Sequence, residues 1–238
     1  MAQNHLARYA APRTWNINRK ERHWISRPRP GPHKLEESLP LAYILKDILN
    51  HATTTKEAKY LLNNTWIFVD KKARKDLKFP VGFMDIIEIT KTGEKFRVLH
   101  DNQGRLILHP ISEKESTVKL LRIVRKTKLK QGKIQITLGD GKNLLLPSFS
   151  GNVGDTLLYD LTAKKILQTL PLSQGTLVYL TAGKHIGELA TIKEIIRTTG
   201  LDKAKVVLES KGTTFITLMA YALAVGEHAH LLSQETPQ

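Results

Sequence analysis

The chain contains 238 residues, of which 37 are lysine or arginine and 22 are aspartate or glutamate, so its formal net charge is +15 at pH 7. An excess of this size favours polyanionic partners, because binding releases the polyanion's counterions, and nucleic acid is the usual polyanion. The sequence contains no cysteine, which excludes disulfides, thiolate metal sites and a cysteine nucleophile.

The apolar segments are too short for a membrane protein. The N-terminal residues lack the apolar core of a signal peptide, and the longest strongly apolar run, residues 218–225, is far below the roughly 20 residues that span a bilayer. We therefore expect a cytoplasmic protein without a membrane partner.

Residues 1–33 predict an extended basic arm. Arginines and lysines far outnumber the single acid Glu21, Trp15 and Trp24 lie among them, and prolines at alternate positions from 28 to 32 impose extended geometry. We expect the cations to clamp phosphates and the tryptophans to stack on unpaired bases; the alternative is a disordered basic tail without a specific target. The candidate RNA-binding residues here are Arg8, Arg13, Trp15, Arg19, Lys20, Arg22, Trp24, Arg27 and Arg29, followed by Lys34.

Helical periodicity begins after the arm. Apolar residues at positions 41, 44, 45, 48 and 49 form the stripe of an amphipathic helix that starts near Pro40. Thr54 can cap a second helix, and Glu57 three residues later completes a capping box. Lys56 and Lys59 project away from the apolar face of this second helix. The two helices should therefore form a hairpin that presents a basic ridge, Lys56 and Lys59, to solvent.

Two predicted strands follow the hairpin. Residues 66–69 and 83–89 are β-rich runs; the first ends in a turn at Asp70, and the second follows a turn at residues 80–82. A basic loop lies between them, and a merely solvated charge run would have the same composition as an RNA-binding loop. The candidates in this loop are Lys71, Lys72, Arg74 and Lys75.

The order of these elements in residues 34–90 resembles the small αL-type RNA-binding domain of several ribosomal proteins and RNA-modifying enzymes. The strings "GPHKLEESLPL", "VDKKARKD", "FPVGFMDIIEI" and "TGEKFRVLHDNQGRLILHPI" resemble, in this order, the signatures of the archaeal and eukaryotic small-subunit ribosomal protein family called S-four-e. The resemblance implies a structural protein that binds small-subunit ribosomal RNA and lays its basic arm along that RNA.

Residues 91–170 predict a central β domain. Alternating apolar residues at 134, 136 and 138, followed by a glycine-rich turn, indicate a hairpin. Every charged residue between Lys119 and Lys133 is basic, which suits either RNA contact or an edge strand that lysines protect against self-association. The candidate RNA-binding residues are Arg122, Arg125, Lys126, Lys128 and Lys130.

Residues 171–226 include a string, "TAGKHIGELATIKEI", that resembles the KOW motif and implies a small SH3-like barrel. Two glycines permit a tight turn, with Lys184 and His185 at its tip as candidates for phosphate contact. Glu188 stands where the motif carries a basic residue. We therefore expect the barrel fold to survive better than its RNA contact.

The last residues, 227–238, contain no lysine or arginine, so we expect this tail to lie away from RNA. Its two histidines, His228 and His230, have no third ligand in sight, which favours exposed surface over a metal site.

The sequence lacks a phosphate-binding loop, a zinc-protease helix motif, a nucleophile elbow and a dinucleotide fingerprint. We predict a multi-domain, β-rich α+β protein with an extended basic arm (1–33), an αL-type domain (34–90), a central β domain (91–170), a KOW-containing SH3-like barrel (171–226) and a tail (227–238).

The predicted function is that of a structural constituent of the small ribosomal subunit, located on the cytoplasmic ribosome. Its partners would be small-subunit ribosomal RNA and neighbouring ribosomal proteins, without a catalytic residue, cofactor, metal or small-molecule substrate. One alternative is an accessory factor of translation or transcription. Another is an RNA-modifying enzyme, in which a catalytic acid would be sought at Asp85, Asp101 or Asp155.

Overall fold

The computed structural model describes residues 4–196, 203–210 and 212–232. These residues belong to two compact units: the first contains the chain through Leu99 together with Arg105–Ser116, and the second contains His100–Gly104 and the chain from Thr117 onward. Strands dominate both units and helices are few, as the β-rich prediction requires. The finer division of the chain at residues 33, 90, 170 and 226 stays a prediction.

Helical segments in the described residues are short. None of them is long and apolar enough to cross a membrane. Helix α1 spans Leu41–Tyr43 and runs directly into a π-helical turn, Ile44–Ile48, and helix α2 spans Thr55–Asn63. The 3₁₀ turns are Arg8–Ala10, Leu35–Glu37, Glu115–Thr117, Lys130–Gly132, Met219–Tyr221 and Gly226–Leu231.

The N-terminal arm is packed into the core of the first unit, so the prediction of an extended arm is wrong for its first half. Leu6, Ala11 and Trp15 are buried among the helix-hairpin and strand side chains. The backbone of Arg8 donates to His23, and that of Ile25 donates to Leu6, which folds the arm back on itself. Apolar residues spaced too irregularly to show a period supply this packing.

The first predicted helix is present but is not a regular α-helix. After one α-helical turn the bonding switches to i→i+5, with the Leu49 amide donating to the Ile44 carbonyl at 2.9 Å. Leu41 and Ala42 donate at the N-terminus to carbonyls of Phe79 and Leu77. The start of the helix is therefore tied to a loop that lies far away in sequence, and periodicity alone does not reveal the wider turn.

The predicted capping box of helix α2 is confirmed. Thr54 Oγ1 accepts a hydrogen bond from the Glu57 amide at 3.2 Å, and the Glu57 carboxylate accepts one from the Thr54 amide at 3.3 Å. Hydrogen bonds from Thr53 and Thr54 lower the pKa of Glu57. Ala58 and Leu62 are fully buried on the apolar face of the helix.

The first unit contains a two-stranded sheet and, except for His100 at the end of one strand, a five-stranded sheet. The predicted turn at residues 80–82 is instead a strand, because Pro80–Gly82 pairs in antiparallel register with Ser38–Pro40. The small sheet consists of β1 (Ser38–Pro40) and β4 (Pro80–Gly82); the larger one has the order β3 (Lys72–Ala73), β2 (Ile67–Val69), β5 (Ile86–Ile89), β6 (Lys95–His100) and β7 (Leu106–Pro110).

The second unit contains two five-stranded antiparallel sheets. Alternate residues such as Ile136 and Leu138, or Val206 and Leu208, are buried where one face of a strand packs inward. Thr156–Tyr159 are instead buried in succession. The first sheet has the order β10 (Asn143–Leu146), β9 (Ile134–Leu138), β8 (Val118–Lys128), β11 (Thr156–Asp160) and β12 (Lys165–Leu170). The second has the order β16 (Thr213–Leu218), β15 (Lys205–Ser210), β14 (Leu189–Ile196), β13 (Leu177–Leu180) and β17 (Ala222–Ala224).

Candidate nucleic-acid interface

Arg8 is an internal ion-pair residue. Its side chain is 4% exposed; Nη1 lies 2.9 Å from the Glu21 carboxylate, and Nη2 lies 3.2 Å from that of Asp47. Nη1 also donates to the Asn18 carbonyl at 3.0 Å. The prediction that Arg8 clamps a phosphate is therefore wrong in this structure, because two carboxylates already neutralise its guanidinium.

Trp15 is a core residue. It is 2% exposed, and its ring stacks on Tyr43 with centroids 6.1 Å apart and planes 18° apart. Burial raises the pKa of Tyr43 to about 12, and the Tyr43 hydroxyl donates to the Asn16 carbonyl at 2.5 Å. An indole enclosed in this way cannot stack on a base, so the proposed role of Trp15 in RNA contact is corrected to packing.

Arg19 forms hydrogen bonds within the arm. Its guanidinium donates to the carbonyls of Tyr9, Ala11 and Pro12 at 2.8–3.0 Å. These bonds supply hydrogen-bond donors to carbonyls that lie outside any strand. Arg19, which the sequence predicts to bind phosphate, therefore has a structural role here. Arg29 is exposed and pairs with Asp76 at 3.0 Å.

Trp24, like Tyr9, is an exposed aromatic residue of the arm. It is 59% exposed and is flanked by the rings of His23 at 4.4 Å and His5 at 5.6 Å. An antiparallel bridge between Ala7 and Trp24 fixes its backbone. The arm therefore presents the Trp24 ring in a position fixed by neighbouring rings and backbone. The exposed predicted cations around it in sequence are Arg13, Lys20, Arg22 and Lys34, whereas Arg27 is half-buried.

The basic ridge of helix α2 lies where the sequence predicts it. Lys56 and Lys59 are both exposed while Ala58 between them is fully buried. The helix is held in place by its capping box and by its buried leucine face. Both ammonium groups are therefore available to phosphate without any change in the fold.

In the basic loop after β2, some cations make internal contacts and others are exposed. Lys71 pairs with Glu88 and contacts the Ser116 hydroxyl, and the guanidinium of Arg74 lies 4.2 Å above the Phe79 ring. Lys72 and Lys75 are exposed. The structure thus assigns half of this run to internal contacts.

The cations of the sheet that contains β8 likewise include some with internal hydrogen bonds and others that are exposed. Arg122 donates to the Ala220 carbonyl, and burial lowers the pKa of its guanidinium. Its predicted role in RNA contact is therefore corrected to joining β8 to the 3₁₀ turn Met219–Tyr221. Lys126 is exposed but donates to the carbonyls of Phe149 and Gly151, each at 3.0 Å. Arg125, Lys128 and Lys130 are exposed on the same strand and the turn that follows it.

The glycine loop at residues 183–187 forms a turn, with Gly183 at φ +96° and Gly187 at φ +87°. Lys184 is exposed at its tip. The His185 ring stacks on Phe215 at 4.0 Å, and its Nδ1 lies 3.1 Å from the Glu188 carboxylate. The acid that departs from the motif thus engages the histidine beside it.

Carboxylates considered for catalysis serve as backbone caps. Asp155 accepts hydrogen bonds from the amides of Asn152 at 2.8 Å and Leu172 at 3.0 Å, and Asp85 is buried beside His33 at 2.9 Å. Across residues 4–196, 203–210 and 212–232, no three His, Asp or Glu side chains come together in a way that could hold a metal ion. His228 contacts Gln168 at 3.0 Å.

Sequence reasoning missed an aromatic group beside the basic ridge. Tyr60 is 61% exposed on helix α2, its ring meets Trp66 edge to face at 5.7 Å, and the Lys91 ammonium lies 4.8 Å above the Trp66 ring. The spacing of Tyr60 four residues after Lys56 was the available signal, since such residues share one helix face.

Comparisons with known proteins decide the family. The model described as Ribosomal family S4e matches residues 92–166, and the RS4NT (NUC023) domain model matches residues 2–36. Small ribosomal subunit protein eS4 of Methanosphaera stadtmanae is 42% identical over 232 residues, covering 98% of this chain and 96% of that protein. The chain belongs to the ribosomal S4e family.

Other members of the S4e family agree with this assignment and confirm the resemblance seen in the sequence. The eS4 protein of Methanothermobacter thermautotrophicus is 40% identical over 233 residues, covering 98% of this chain and 96% of its own. The crystal structure of the 30S ribosomal protein S4e from Thermoplasma acidophilum matches with a TM-score of 0.69 and 30% identity, covering 80% of this chain and 95% of that one.

Proposed function

We propose that this S4e protein is a structural constituent of the small ribosomal subunit that binds and stabilises folded small-subunit ribosomal RNA. The observation that carries the proposal is the exposure of Lys56 and Lys59 on a capped, well-packed helix in a chain of net charge +15. Cations held on a rigid face release counterions from RNA without any folding cost. The names of the eS4 relatives support the same conclusion.

The proposed contacts are drawn from the predicted residues whose side chains are exposed. Affinity would come mainly from phosphates, and selectivity from RNA shape, because A-form RNA hides its base edges in a deep groove. The proposed set is Arg13, Lys20, Arg22, Trp24, Lys34, Lys56, Lys59, Lys72, Lys75, Arg125, Lys128, Lys130 and Lys184. Secondary contacts would come from predicted residues that are half-buried or already have a partner within the chain: Arg27, Arg29, Lys71, Arg74, Lys126 and His185.

Two finer assignments belong to the same proposal. The helix hairpin with strands β2 and β5 would act as an αL-type RNA-binding unit, which is supported by its capped second helix and outward lysines. The sheet that contains β13 to β17 would act as an SH3-like barrel with a KOW-like loop, which is supported by its antiparallel pairing and by the left-handed glycines of the loop. Neighbouring ribosomal proteins would be its protein partners on the cytoplasmic ribosome.

Sucrose-gradient fractionation tests the proposal. Cell extract is washed in high salt and fractionated, and this protein is detected by mass spectrometry in each fraction. We expect it to migrate with small subunits after the wash. Recovery only in the unbound fraction would instead support an accessory factor with transient ribosome contact. Crosslinks mapped by nucleotide would then test the residue set.

A further inference from the structure

Helix α2 exposes an aromatic ring that packing alone does not explain. Tyr60 is 61% exposed, although Ala58 and Leu62 on the same helix are fully buried. Its ring is held by an edge-to-face contact with Trp66 at 5.7 Å and 84°. Because the Lys91 ammonium lies over the Trp66 ring at 4.8 Å, Trp66 is itself fixed and serves as a brace for Tyr60.

The charges around Tyr60 favour an anionic neighbour. Lys56 lies one helical turn before Tyr60, so their side chains are adjacent on the helix surface, with Cβ atoms about 5–6 Å apart. The carboxylates nearest in sequence have other partners. Glu57 is bound by the capping box, Asp47 pairs with Arg8 at 3.2 Å, and Asp70 accepts from the Ile86 amide at 3.2 Å. The surroundings of Tyr60 are therefore cationic.

We propose that Tyr60, braced by Trp66 and flanked by Lys56, stacks against one unpaired base of small-subunit ribosomal RNA. A base inside an A-form helix has both faces covered, so only an unpaired base offers a face to a protein ring. Stacking tolerates any base, and an adjacent lysine can hold the phosphate of the same nucleotide. An apolar protein segment would gain little from a ring surrounded by lysines. This inference rests on the proposed function and adds a contact of a different physical kind.

Binding of the full-length protein to deproteinised small-subunit ribosomal RNA, measured over a series of salt concentrations, tests the proposal. Tyr60→Ala should weaken binding about tenfold, within the range of losses seen when a stacked base loses its aromatic partner. Tyr60→Phe keeps the ring and should bind as the wild type does. Leu167→Ala removes another exposed apolar side chain, 55% exposed on β12, and serves as the matched control.

The salt dependence separates stacking from charge. Loss of Tyr60 should leave the slope of affinity against salt unchanged, because stacking releases no counterions, whereas loss of Lys56 should reduce it. A Tyr60→Ala protein that binds as tightly as Leu167→Ala would overturn the inference and leave the proposed function standing. Unchanged RNA affinity with reduced incorporation into particles would also overturn it, since a protein neighbour would then occupy Tyr60. Failure of the wild type to bind the RNA would instead reject the proposed function.

Discussion

The N-terminal arm and helix α2 both contain basic and aromatic residues, but these residues have different roles in the two regions. In the arm, Arg8 is 3% exposed and Trp15 is 2% exposed. On helix α2, Lys56 is exposed and Tyr60 is 61% exposed. Residue type is therefore a poor guide to RNA contact in this chain, and the packing of the surrounding backbone decides which cations and rings remain available.

The difference has a local cause. Helix α2 has a period, so one face is buried and the other is exposed by geometry. The arm has no period, and its exposure depends on where each side chain finds partners, such as Tyr43 for Trp15 and the acids Glu21 and Asp47 for Arg8. Substitutions at the buried residues of the arm should consequently reduce stability, whereas substitutions on the exposed face of helix α2 should reduce RNA binding.

The largest effect is expected for Trp15→Ala. It removes a fully enclosed ring that stacks on Tyr43, and large-to-small changes of this kind cost about 3–5 kcal/mol of unfolding free energy. Denaturant unfolding monitored by circular dichroism would measure it. Trp24→Ala, at a 59% exposed position, is the matched control and should change stability by less than about 0.5 kcal/mol. Equal losses from both would remove the distinction between the two tryptophans.

Arg8→Met should have the next largest effect. It leaves Glu21 and Asp47 without their shared cation, and we expect a loss of about 2 kcal/mol, below the full cost of breaking a buried pair because both acids are partly open to water. Thermal unfolding in dilute buffer would measure it. Arg22→Met, an exposed neighbour in sequence, should leave the melting temperature nearly unchanged, and a comparable drop there would argue against an internal role for Arg8.

The double substitution Lys56→Glu with Lys59→Glu should act on binding alone. Both side chains face solvent, so the unfolding free energy should stay close to that of the wild type while affinity for small-subunit ribosomal RNA falls by about tenfold or more. The slope of log affinity against log salt should decrease by about two, one for each lysine. Full affinity with an unchanged slope would remove the basic ridge from the interface.

Thr54→Ala should have the smallest of these effects, and it acts on the stability of helix α2. It deletes the side chain that accepts from the Glu57 amide, at an expected cost of about 1 kcal/mol. Because hydrogen bonds hold the pKa of Glu57 below its usual value, the carboxylate's contribution is present above the unfolded pKa and is lost as pH falls through the folded one. Thermal unfolding between pH 3 and pH 7 should therefore show only slightly less pH dependence in Thr54→Ala, because the bonds from Thr53 to the Glu57 carboxylate remain. Thr55→Ala, at an exposed position beside it, is the control.

The sequence by itself determined the features that local physical chemistry controls. The capping box follows from Thr54 and Glu57 standing three residues apart, the outward lysines follow from a helical period, and the β-rich character follows from short alternating runs. The ordered motifs across the chain were also enough to indicate the S4e family. Each of these signals lies within a few residues of the element that it predicts.

Only the tertiary structure decided which charged and aromatic residues make contacts inside the protein. Arg8 reaches Asp47 across 39 residues, Arg122 reaches Ala220 across 98, and strand β4 exists because Pro80–Gly82 meets Ser38–Pro40. No local pattern encodes such pairings, since a cation that binds a distant carboxylate or carbonyl has the same sequence context as one that binds phosphate. The exposure of a side chain depends on which distant segment covers it, and that is settled only when the chain folds.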